Sequence, residues 1–466
     1  MKILIQMLVL MLAVTGCTAT NPLKNLSSKG GEETKELPKI VKVKDSWSKS
    51  VEQKELNPAL SIVELRMKDQ TVLRLKDTEK WLNTRLSRLL KVIPEYTQTP
   101  RVYITPSASF IGQTYKDGGI FIPVGVLVQI QNEEEIDAML AHELSHLLLK
   151  HHVNEQIKKV GGRAAEKGSL LKGDGKLFMG IAVFKDTLFG HWGHKNESDA
   201  DLLAVDLLVA AEINPRALLY VLKKVRKYET ETATVVQVQT ASLDTSKKRQ
   251  DDQILSSDIW EKGSVWANKI LGVKNGTQKR ATKIKEYLRE QYPNNPRTGF
   301  TESKLSKNTH LKAVFESESN ISPLLRDNKL GEASKYGLAS ISGPLTSNAH
   351  TRFVMWQIRS LQGQKKNAST NLDIAFKSKD APFYIYHTFL RSNDSVNNKE
   401  NVLSVLKLIN AEFGHPDSFI HEEIHYLAKY GKNDEAKKLV LRCAGLGDMT
   451  MYDLCTKARD GQLYES

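Results

Sequence analysis

Cysteine is scarce in this chain: three occur in 466 residues, at Cys17, Cys443 and Cys455. So low a count excludes a small scaffold stapled by many disulfides and a cysteine-built metal ribbon. Long apolar runs are scarce as well. The stretch Ile3 to Val14, behind Lys2, is too short to cross a bilayer comfortably but has the length of a secretory signal core. Acidic residues are outnumbered, 54 Asp and Glu against 67 Lys and Arg, for a net charge of +13. The excess is spread through Lys/Glu mixtures without a basic block interleaved with aromatics, so it reads as a solvated surface and no nucleic-acid partner is expected. What is present, 40% hydrophobic and 26% charged residues, suits a folded protein, and the length exceeds what one ordinary core organises.

The export segment ends in Val14-Thr15-Gly16-Cys17, which resembles the lipobox of bacterial lipoproteins. That resemblance implies cleavage before Cys17 and lipidation of its sulfur, with several acyl chains for durable membrane attachment. Thr18 follows rather than Asp, which favours the periplasmic face of the outer membrane over the inner one. An oxidising compartment leaves Cys443 and Cys455 as a candidate disulfide or as two buried thiols.

Residues 18 to about 50 are rich in Lys, Glu, Ser and Thr with few large apolar side chains, and a flexible tether over 18–58 is expected. Helical periodicity begins near Leu60 and runs through Leu73, Leu75, Trp81, Leu82, Leu86, Leu89 and Leu90. Arg101–Thr105, Ser109–Tyr115 and Gly119–Val128 read as strands, the last two joined by a turn at Lys116-Asp117-Gly118-Gly119. Buried helices are expected over Glu133–His151 and Glu197–Ala211, with a connection over Gly161–Gly193 between them. Asn214-Pro215 stops the second, a helix follows over Arg216–Tyr228, and Glu229–Asp258 reads as an exposed polar insertion. Past Phe300 come helices over His350–Leu361, Pro382–Arg391, Glu400–Phe413, Ser418–Lys429 and Asp434–Cys443. Starts near Pro382, Pro416 and Asp448 are spaced by about one tetratricopeptide repeat, so a repeat-like array over 301–466 stands beside an irregular bundle.

Chemistry concentrates in His142-Glu143-Leu144-Ser145-His146, an HExxH string inside an apolar helix. Four residues advance a helix by about 6 Å and turn it about 40° past one revolution, so both imidazoles leave one face and can share an ion. Glu143, displaced around the axis, can miss the ion and still reach a water beside it, as a general base must. A second HExxH, His421 to His425, carries the charged Glu423 in its middle and reads as the solvated face of a helix. Some fifty residues after the first string, Glu197, Asp199 and Asp201 open a helix otherwise rich in Leu, Ala and Val. Carboxylates kept in a buried helix need compensation, which a divalent ion provides. Glu197 is the candidate third ligand, and Asp201, one turn later, can accept the free ring N–H of a liganding His.

His142-Glu143-x-x-His146 followed by Glu197-x-x-Ala200-Asp201 resembles the gluzincin peptidases of the HtpX and BepA type, related to the CAAX prenyl proteases. The likeness covers roughly Leu60 to Tyr292 and includes the Gly118-Gly119 strand and His151. It implies an α+β, predominantly α fold: a minimal zincin domain with a small sheet over 59–300, then the α-helical array. It also implies one Zn2+ per chain on His142, His146 and Glu197, with Glu143 as base. The family's helix beginning Arg-x-x-x-Ile is matched by Arg280 to Ile284, but Gly272-Val273-Lys274-Asn275 stands where relatives carry a His, so a switch by that His is not expected. Protein or peptide substrates follow, with quality control of unfolded envelope proteins as the leading role and a protein partner for the helical array. The alternative is a periplasmic chaperone for outer-membrane proteins whose peptidase site is idle.

Overall fold

The computed structural model describes residues 37–49, 55–151, 194–246, 276–295, 299–394 and 398–463, and in 232–246 only the course of the helix. Cys17, the signal 1–17, the start of the tether and the connection 161–193 lie outside the described residues. Pro38–Ser466 forms one compact unit.

The expected tether is corrected where it meets this unit: Lys39–Ser48 is a helix, α1. Its Lys-rich composition conceals an apolar stripe, because Ile40, Val43 and Trp47 fall on one face at helical spacing and are all buried. Trp47 Nε1 donates to Leu148 O at 3.1 Å, and its ring meets Tyr96 edge-on at 4.8 Å. Trp47→Ala is therefore expected to cost about 3–5 kcal/mol. Urea unfolding measures this, and a loss below about 1 kcal/mol would mean that α1 is only laid on the surface.

Two helices follow, α2 (Pro58–Met67) and α3 (Lys76–Leu90), with Pro58 at the first turn of one and Asp77 and Glu79 in the first turn of the other. The periodicity that ran through Leu73 and Leu75 is broken there: Leu73 N donates to Ile104 O at 2.8 Å, so this stretch is extended against the sheet. The sheet has the order β1-β3-β2. β1 (Arg101–Thr105) runs parallel to β3 (Gly119–Pro123), pairing Arg101 with Gly119, and β2 (Gln113–Thr114) runs antiparallel, pairing Thr114 with Ile120. Gly118, at φ +88°, makes the turn into β3. Two expected strands prove shorter. Only 113–114 of Ser109–Tyr115 pairs, and β3 ends at Pro123, which lacks the N–H to continue the ladder. Val124–Gln129 is instead the short helix α4.

α5 (Glu133–Leu148) and α6 (His194–Ala210) pack together under the sheet, and both are buried along most of their length. Glu212, at φ 57°, ends α6 just before Asn214-Pro215. α7 runs from Ala217 to Ser246, so the expected insertion is helical at least that far. The polar composition misled because one polar residue faces inward: Glu229 is buried and accepts from Thr277 Oγ1 at 3.0 Å. Thr277 lies on α8, residues 276–291.

Beyond 300 the described chain is helical: α9 (Thr309–Arg326), α10 (Leu330–Ser340), α11 (Ala349–Leu361), α12 (Lys365–Lys377), α13 (Phe383–Ser392), α14 (Lys399–Phe413), α15 (Ile420–Lys429), α16 (Asn433–Ala444) and α17 (Met449–Arg459). Phe353, Ile385, Leu406 and Ile424 belong to one core that joins several of them. Cys443 and Cys455 form a disulfide between α16 and α17. Buried Arg66 ties this region to α2, donating to Ala381 O at 2.8 Å and Glu412 Oε2 at 2.9 Å, with its guanidinium 4.8 Å from the centre of the Phe413 ring. Asn348 adds a bond to Val72 O at 3.0 Å. The fold as a whole is α+β and predominantly α.

Candidate metal centre

α5 places His142 and His146 one turn apart on the side facing α6, with their Nε2 atoms 3.2 Å apart and their rings crossed at 84°. α6 brings Glu197 to the same point. Its Oε2 lies 3.5 Å from His142 Nε2 and its Oε1 3.5 Å from His146 Nε2. One donor atom from each of the three residues falls within 4.8 Å of the others, and among the described residues no other such His/Cys/Asp/Glu group forms. Four-coordinate zinc with bonds of 2.0–2.2 Å separates neighbouring donors by about 3.3–3.5 Å, which the 3.2 Å between the two Nε2 atoms and the 3.5 Å from His146 Nε2 to Glu197 Oε1 fit. His142 and Glu197 side chains retain 11% and 9% of their exposure, which leaves water a way in, whereas His146 retains 1%.

The surrounding charges favour a cation. Burial opposes charge on His142, yet Asp201 and Glu197 outweigh it and raise its pKa to about 10. Glu197 pays for its own burial too, but Arg280 and the two imidazoles hold it well below the usual carboxylate range. Asp201 is likewise lowered against its burial by Arg280 and His142. His146 moves the other way: burial lowers it well below the ordinary imidazole value, leaving a neutral donor.

Around the three donors the outer contacts are specific. Asp201 Oδ1 lies 3.0 Å from His142 Nδ1, and His151 Nδ1 lies 2.9 Å from His146 Nδ1. Glu143 is buried beside them, and burial raises its pKa. Thr114 Oγ1 donates to its Oε2 at 2.6 Å. Gly112 covers the other oxygen: a Cβ there would stand 2.5 Å from Glu143 Oε1, so only glycine fits without moving the carboxylate. Pattern reading did not find Thr114 or Gly112, and no local signal marks them, because their approach depends on how β2 lies over α5. Arg280 was visible as the head of an Arg-x-x-x-Ile helix, but its two carboxylate partners were not.

The second HExxH string needs correcting. His421 and Glu423 are buried rather than solvated, because α15 turns Ile420, His421, Glu423, Ile424 and Leu427 inward. Glu423 Oε2 is held by His415 Nδ1 at 2.9 Å and Glu422 Oε2 by His387 Nε2 at 2.6 Å. The carboxylates are thus directed at histidines of other segments.

One further buried carboxylate lies on α6. Asp206 accepts from Ile40 N at 2.9 Å, Tyr292 Oη at 2.7 Å and Tyr287 Oη at 3.1 Å, pinning α1 and α8 to the helix that carries Glu197. Burial raises its pKa to about 6 despite those donors. A folded-state value above the unfolded one gives stability that is complete below about pH 4 and fades as pH rises through 6. Asp206→Asn should remove that component, about 2–3 kcal/mol between pH 4 and 7. Denaturant unfolding of both proteins across this range is the check, and parallel pH profiles would refute it.

No curated protein matches the chain. Residues 77–257 match the family model of peptidase family M48, a span that contains β1 to β3, α5 with His142, Glu143 and His146, and α6 with Glu197. Over residues 77–257, less than half of its length, the chain is therefore similar to peptidase family M48.

Proposed function

We propose that the protein is a zinc-dependent endopeptidase that hydrolyses unfolded or misassembled proteins of the cell envelope. The observation that carries this reading is the convergence of the His142, His146 and Glu197 donors within 4.8 Å, with the Glu143 carboxylate one residue along the same helix. When bound there, zinc would supply a Lewis acid that makes water nucleophilic near neutral pH. His142 and His146 offer their Nε2 atoms and Glu197 a carboxylate oxygen. Asp201 orients the His142 ring through Nδ1. Glu143 takes the proton of the attacking water and passes it to the leaving amine, while Thr114 keeps its Oε2 engaged.

β3 is the central strand of the sheet, and its two sides are taken by β1 and β2. The outer edge beside Glu143 is β2, and a substrate adding there would run past the base with its main chain. Recognition of main chain selects exposed, unfolded polypeptide rather than one side chain. The Val14–Cys17 lipobox supports lipid attachment and a place on the periplasmic face of the outer membrane. The helices of 301–466, bonded to α2, are assigned a protein-partner role.

The test uses the purified chain with reduced, alkylated α-lactalbumin and its native form. Cleavage of the unfolded substrate, stopped by 1,10-phenanthroline and restored by Zn2+, supports the reading. Cleavage insensitive to the chelator, or none by zinc-loaded protein, would sink it.

A further inference from the structure

Arg280 lies on α8, beyond the stretch that matches the family, yet its side chain ends among the candidate ligands. Nε and Nη2 reach Asp201 Oδ2 and Oδ1 at 2.6 and 2.9 Å, a two-pronged contact that fixes the plane of the guanidinium. Nη1 then lies 2.8 Å from Glu197 Oε2. One cation therefore bridges two carboxylates on successive turns of α6, and both of these also face His142, at Nδ1 and Nε2.

We propose that Arg280 is a positioning residue that claims one oxygen of Glu197, so that this side chain serves the metal through a single oxygen and leaves a coordination position open for water. This rests on the metal reading given above. A carboxylate free to rotate can bind an ion through both oxygens, and the second oxygen then occupies space that the nucleophile needs. Rotating Glu197 into that posture would strip a buried guanidinium N–H of its acceptor, a penalty set by the lost hydrogen bond and the uncompensated charge. The anchor on Asp201 stops the guanidinium from following. Lys cannot replace it here, because a point-charge ammonium has no rigid fork to hold both carboxylates at once.

Cobalt(II) reads coordination directly, since four-coordinate sites absorb visible light much more strongly than five- or six-coordinate ones. Full-length wild type, Arg280→Met and Arg280→Lys are loaded with Co2+, and metal content, visible spectrum and peptide hydrolysis are recorded. The expected result is an intense spectrum for wild type. Arg280→Met should keep one cobalt per chain with absorbance reduced severalfold, and kcat should fall roughly 10–100-fold with little change in KM. Arg280→Lys should lie between the two. If Arg280→Met fails to fold by far-UV circular dichroism, Asp201→Asn, which keeps the buried Arg but weakens its anchor, should shift the spectrum in the same direction. A wild-type-like spectrum in the variants overturns the proposal, as does outright loss of cobalt, which would leave only a structural role. Wild type that takes up no cobalt sinks the metal reading itself and is thereby distinguished.

Discussion

Glu143→Gln should leave a folded protein that still binds one metal ion per chain and hydrolyses unfolded protein about 10²–10⁴-fold more slowly. Gln keeps the length of the side chain and can still accept from Thr114, whose hydroxyl sits 2.6 Å from Glu143 Oε2. What it cannot do is take a proton from water. The donors on His142, His146 and Glu197 are untouched, so metal content and thermal stability should match wild type. Removing a buried carboxylate that burial already pushes toward its protonated form costs little stability. Hydrolysis measured by gel and by a quenched-fluorescent peptide, beside metal analysis, provides the check. Undiminished cleavage by the Gln variant would show that another group removes the proton. A cellular phenotype that persists when cleavage is lost would favour the chaperone reading.

His146→Ala should have the second large effect: metal content falls from one ion per chain to near zero after dialysis, and hydrolysis is lost with it. His146 is the most enclosed donor, and Ala leaves Glu197 and His142 as two ligands, too few for tight binding. The protein should still fold, because Arg280 continues to compensate Glu197 and Asp201. Stability gives an independent readout. Metal at about a thousand times its dissociation constant stabilises a native state by about 4 kcal/mol, so a chelator should lower the wild-type melting temperature and leave that of the variant unmoved. Equal metal content in both proteins would remove His146 from the ligand set.

Local spacing reveals the parts of this centre that lie within one helix. His142 and His146 are four residues apart, and helix geometry alone puts them on one face. Glu197 is recognisable because an acidic group in an apolar helix needs a partner. The same kind of reading failed wherever a contact joins distant segments. Composition assigned Lys39–Ser48 to a tether, although three apolar residues among lysines suffice for a helix that docks on Asp206 and Leu148. Periodicity carried a helix through Leu73, which the sheet instead captures through Ile104. The inward turn of His421 and Glu423 was also beyond the pattern, since it depends on how this helix packs, and the histidines that meet Glu422 and Glu423 come from other segments.

By itself the sequence determined the predominantly helical class, the helix carrying His142, Glu143 and His146, and the acidic helix that follows, because periodicity and i to i+4 spacing are properties of a single element. Tertiary structure alone decided that Arg280 bridges Glu197 and Asp201, that Thr114 and Gly112 bound Glu143, and that β2 rather than β3 forms the edge. These depend on which surfaces of separate elements meet, and a contact across 79 residues, such as that of Arg280 with Asp201, leaves no periodic trace along the chain.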